Sequence, residues 1–122
     1  MHVAKFNPAG GPITVGLTCD PNQNGSYRIT LWGAADNSIV QRYRGNFINT
    51  ADDSYELDAP NDDHDGRLIE ALAVVAIPSG MGPSDLTVTV SQDGVTLASD
   101  IATVPSGSPG QMVDLFVALE AT

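Results

Sequence analysis

The chain has 122 residues, 42% of them apolar, and sets fifteen acids against five cations for a formal charge of −10. That length can bury a core without disulfides or a structural metal, and that apolar content excludes wholesale disorder. So few cations in so negative a field exclude a nucleic-acid binder, which needs them to displace counterions from phosphates, and disfavour anionic membrane surfaces for the same reason.

The opening residues 1–11 (MHVAKFNPAGG) lack the apolar stretch of a secretory signal. The expectation is a chain made for the cytoplasm, or one whose export segment has been removed. No apolar run approaches the length of a transmembrane helix. Cys19 is the only cysteine, so no internal disulfide forms. On the apolar side of its segment it reads as a small core residue rather than a nucleophile.

From there the dominant signal is alternation of period two. Ile13, Val15, Leu17 and Cys19 share one face, and Thr14, Gly16, Thr18 and Asp20 the other. The turn signal Asp20-Pro21-Asn22-Gln23-Asn24-Gly25 follows. Tyr27, Ile29 and Leu31 then alternate with Arg28, Thr30 and Trp32, and beyond Ala35-Asp36-Asn37 the residues Ile39, Gln41 and Tyr43 alternate with Val40, Arg42 and Arg44. A short segment sets Tyr55 and Leu57 against Ser54, Glu56 and Asp58.

Residues 67–77 (RLIEALAVVAI) fit either a buried strand or a three-turn helix, because a run this apolar has no decisive period. The strand is the reading adopted, since every neighbour is a strand. Leu86, Val88 and Val90 oppose Thr87, Thr89 and Ser91; after Gln92-Asp93-Gly94, Val95 and Leu97 oppose Thr96 and Ala98. Val113, Leu115, Val117 and Leu119 close the series against Asp114, Phe116, Ala118 and Glu120. Pro-Ser-Gly recurs at 78–80 and 105–107, as two hairpins built alike would explain.

These segments predict one all-β domain over residues 1–122, an antiparallel two-sheet β-sandwich of about eight strands, immunoglobulin-like or jelly-roll. If every connection reverses direction, loops 33–38, 58–66 and 92–94 gather at one end with both termini nearby. They bring Asp36, Asp58, Asp62, Asp63, Asp65 and Asp93 together there.

Two candidate sites follow. Asn61, Asp63 and Asp65, spaced two apart and followed by Gly66, resemble the first half of an EF-hand calcium loop, in which alternate oxygens converge on a hard cation. Leu72 stands where that loop requires a bidentate Glu, and the alternative is a solvated acidic loop. The second candidate is a surface. If the strands around 33–38 pair, Arg28, Trp32, Arg42 and Arg44 adjoin, placing the only Trp and three of five cations together. Such residues dominate interface hot spots, and Trp also stacks on sugar rings. The alternative is Trp32 covered by a loop, with the arginines paired to nearby Asp.

No catalytic set emerges. Histidine occurs only at His2 and at His64, which acidic neighbours would hold protonated and unfit as a base. Two His and one Cys, widely separated, match no zinc site. The first expectation is therefore a non-catalytic assembly or adaptor module contacting protein, with itself as a homo-oligomer. A carbohydrate-binding, lectin-like module with optional calcium is the alternative, and a small hydrolase the third.

Overall fold

In the computed structural model of the chain, residues 2–19, 24–47, 53–58 and 60–122 are described. The predicted turn at Asp20–Gln23, and part of the 45–53 loop, lie outside them. Nine strands form among the described residues: β1 (His2–Phe6), β2 (Ile13–Cys19), β3 (Asn24–Trp32), β4 (Ile39–Phe47), β5 (Asp53–Glu56), β6 (Leu68–Ala76), β7 (Ser84–Gln92), β8 (Val95–Val104) and β9 (Gln111–Ala121). They make a five-stranded sheet, β1-β9-β6-β3-β4, and a four-stranded sheet, β5-β2-β7-β8. The two pack face to face as a β-sandwich.

The alternation explains the burial. Ile13, Val15 and Leu17 of β2 and Leu86, Val88 and Val90 of β7 point inward from one sheet; Ile29, Leu31, Ile69, Ala71, Ala73, Val75, Leu115, Val117 and Leu119 do so from the other. Every one is buried. Residues 68–76 form a strand whose inward series is the one expected from sequence, and tertiary pairing between β3 and β9 settles what periodicity left open.

Three expectations change. The strand β1 was not anticipated, because only Ala4 and Phe6 carry its inward signal. It pairs with β9 in parallel, so the sheet is mixed rather than wholly antiparallel. The two Pro-Ser-Gly segments are not hairpins. Each follows a strand of one sheet and leads to a strand of the other, β6 to β7 and β8 to β9, and they lie side by side, with Ile77 N donating to Ser108 O at 2.9 Å. Asp93-Gly94, by contrast, is a two-residue hairpin turn as expected, with positive φ at both residues (52° and 77°) as the twist-matched turn demands.

Interactions at the sandwich sides hold the layers. On one side the chain's three tyrosines bridge edge strand β4 to edge strand β5. Tyr43 stacks on Tyr55 with centroids 4.2 Å apart, and Tyr27 hydrogen-bonds both Asp53 and Tyr55. Burial first, and Asp53 second, push the Tyr27 hydroxyl far above its ordinary pKa, so it stays a donor. Tyr43 donates to Glu56 O at 2.8 Å. On the other side Asp100 of β8 accepts from Phe116 N at 3.2 Å and lies 3.3 Å from His2 Nε2.

Candidate functional site

Loops 33–38, 58–66 and 92–94 do meet at one end. The Ala34 methyl lies beside Gly66, Asn61 bonds the Gly10 and Gly11 carbonyls, and Gly11 N donates to Asp93. The segment 7–12 joins them in place of the chain start, because β1 runs toward this end.

The carboxylates there do not converge. Asp36 accepts from Ser38 Oγ (2.7 Å) and Ser38 N, which hold it below the ordinary carboxylate range, and Asp65 accepts from Ala121 N at 2.8 Å. Each closes a turn or caps a strand end. Asn61–His64 is one turn of 3₁₀ helix. Asn61 points its amide nitrogen at Gly10 O and Gly11 O, at 3.1 and 2.9 Å, and Asp63 is exposed. No group of three or more His, Cys, Asp or Glu is placed to hold a metal among the described residues.

His64 departs from expectation. It points into the protein, 1% exposed, with Nε2 2.7 Å from Asp58 O and Nδ1 3.1 Å from an Arg67 guanidinium nitrogen. A carbonyl only accepts and a guanidinium only donates, so the ring fits as the neutral tautomer carrying its hydrogen on Nε2. It is a structural histidine, held away from the carboxylates that flank it in sequence. Cys19 packs, half-buried, against the core as expected.

The residues of the other candidate adjoin, with one change of register. β3 and β4 pair with Arg28 opposite Arg44 and Thr30 opposite Arg42 on the outer face of the five-stranded sheet. A bulge between Leu31 and Trp32 shifts the register, so Trp32 lies opposite Ile39 and Val40 leaves the regular arginine face. Like charges directly opposite destabilise a strand pair, and here Arg28 and Arg44 face each other. Among the described residues, Arg28, Arg42 and Arg44 form no ion pair. The Arg28 Nε is buried with no hydrogen-bond partner. Arg42 lies along the sheet with Nε donating to Thr30 Oγ1 at 3.1 Å; partial desolvation, then Arg28 and Arg44, lower its pKa from an arginine's usual high value.

Residues that sequence reasoning passed over complete this face. Trp32 Nε1 donates to Glu70 Oε1 at 3.0 Å, and on β9 Asp114 lies diagonal to Glu70 and hydrogen-bonds it. Burial first, then the bond to and charge of Glu70, push the Asp114 carboxyl up to about 6, against the opposing pull of Arg28. Glu70 is the one charge in residues 68–77, and on a strand it must face outward. That signal was readable, but its partner on β9 was not. Beside this pair Trp32, Leu68, Glu70 and Phe116 line an open depression of about 490 Å³. Trp32 is half-buried rather than sealed under a loop.

A folded-state pKa raised above the ordinary 3.8 means the native chain binds this proton more tightly than the unfolded one. The contribution of Asp114 to stability is thus fullest below pH 4 and is lost as pH rises through 6. Asp114→Asn is expected to stabilise the monomeric chain at pH 7, by less than about 1 kcal/mol since solvent screens an exposed group, and not at pH 4. Thermal melts of both chains at the two pH values check this.

No protein-family model, no curated protein and no solved structure matches this chain. No helix among the described residues is long and apolar enough to cross a membrane.

Proposed function

We propose that the chain is a non-catalytic assembly module that contacts protein, itself included, through the outer face of its five-stranded sheet. The observation that carries this reading is the arginine group Arg28, Arg42 and Arg44. On a chain with fifteen acids, all three lie on one face, and among the described residues none forms an ion pair. Val3, Val74 and Met112 are also exposed on this face, at 41%, 43% and 67%, flanking the charges with apolar side chains.

The sheet edges support a face rather than an edge as the contact. β1 and β5 have five and four residues; β4 and β8 each belong to a bulged pairing, and they carry Arg42 with Arg44 and Asp100 respectively. Short strands, bulges and edge charges are the devices that block strand addition.

Light scattering across concentration at 0.15 M salt, where the Debye length is about 8 Å and distant repulsion is screened, is expected to show an oligomer. It should weaken toward 1 M salt, and Arg42→Glu should abolish it. A monomer under every condition overturns the reading.

The depression at Trp32 favours a second reading, a carbohydrate-binding module in which Trp32 and Phe116 meet a sugar ring and Glu70 accepts its hydroxyls. Glycan binding that disappears in Trp32→Ala is its expected sign.

A further inference from the structure

We infer that two copies of the chain stack their five-stranded sheets face to face about a two-fold axis parallel to the strands, setting Arg44 of each over Asp114 of the other. The inference rests on the assembly reading and specifies its geometry.

The strand registers lay out the outer face in rows. Arg44, Arg28, Leu72 and Asp114 form one row across β4, β3, β6 and β9, and Arg42, Thr30, Glu70 and Phe116 form the next. On one side the next row is Asn46, Ser26, Val74 and Met112, apolar only on β6 and β9; on the other it is Trp32, Leu68, Ala118 and Val3. Cations thus occupy β3 and β4, and carboxylates occupy β6 and β9.

A half-turn about an axis running along the strands between β3 and β6 preserves height along the strand and exchanges left with right. It carries β4 of the second copy over β9 of the first. Arg44 then faces Asp114, Arg42 faces the Phe116 ring, and Trp32 faces Leu68, each pair occurring twice. Arg44, which forms no ion pair among the described residues, gains a counterion, and the Glu70–Asp114 pair, crowded in the monomer, gains a cation. Of the flanking rows, the Trp32–Leu68 one meets apolar side chains, whereas Val74 and Met112 come to lie over Ser26 and Asn46 of the other copy. A two-fold contact uses the same patch on both copies and closes, so growth stops at the dimer.

The test uses the full chain and two single reversals, Arg44→Glu and Asp114→Arg, with association followed by sedimentation and native mass spectrometry. In either variant alone, both inter-copy pairs become like-charged, and dimerisation should weaken about tenfold or more. Mixed in equal amounts they pair Glu with Arg at one contact and Arg with Asp at the other, and a one-to-one heterodimer should form with restored affinity. The double variant should again pair with itself. Circular dichroism and melting of each variant confirm that it folds. If the parent chain self-associates but neither the mixture nor the double variant regains affinity, the arrangement is wrong and the assembly reading stands. An assembly larger than a dimer has the same meaning. If the parent chain stays monomeric at every concentration, both fall.

Discussion

Replacing Gly45 with alanine is expected to destabilise the chain by about 2–4 kcal/mol, measured as a drop in the midpoint of urea unfolding. Gly45 on β4 lies directly opposite Tyr27 on β3, and the Tyr27 ring folds across it. A Cβ at Gly45 would fall inside the contact radius of Tyr27 Oη and Cζ and 2.7 Å from Cε2. The ring cannot simply swing away. It is 4% exposed and its hydroxyl is committed to Asp53 and Tyr55. Moving it breaks those bonds and opens the seam that joins β4 of one sheet to β5 of the other. Tyr27→Phe keeps the ring over the glycine and removes only the hydroxyl, so it should cost about 0.5–1.5 kcal/mol. A Gly45→Ala loss no larger than that of Tyr27→Phe would show that the packing is looser than the geometry requires.

His64→Ala should cost a similar amount, about 2–4 kcal/mol, for a different reason. The substitution leaves a cavity where a buried ring was and strands two polar groups at once, the Asp58 carbonyl and an Arg67 guanidinium N–H. These two bonds tie the 58–66 loop to itself, and Gly66 N and Asp65 then attach that loop to Leu119 O and Ala121 N of β9. The expected reading is a lower thermal midpoint together with faster amide exchange at Gly66 and Ala121. If calorimetry finds the variant as stable as its parent, the structural assignment of His64 fails.

Alternation carried the strands because a pleated strand with one wet face leaves a record at every second residue. Ile13 to Leu17, Leu86 to Val90 and Val113 to Leu119 were legible for that reason, and so was the adjacency of Arg28, Arg42 and Arg44 once β3 and β4 were read as a hairpin. Where the local record is short, as at Ala4 and Phe6 of β1, the strand was missed. It exists because β9 offers it an edge, a condition fifty or more residues can separate from the segment that meets it.

The sequence by itself determined the class of fold, most of the inward residues and the sign of the surface, through hydrophobic period and net charge. On β8 a register shift leaves Val95 exposed and sets Ala98 opposite Val90, against the expected face. Tertiary structure alone decided the rest. The order β1-β9-β6-β3-β4 brings Asp114 beside Glu70 and both across from the arginines, and no local pattern encodes which strands adjoin. It also turned His64 inward, because a ring flanked by acids in sequence finds its hydrogen-bond partners in a carbonyl and a guanidinium that only the folded loop presents.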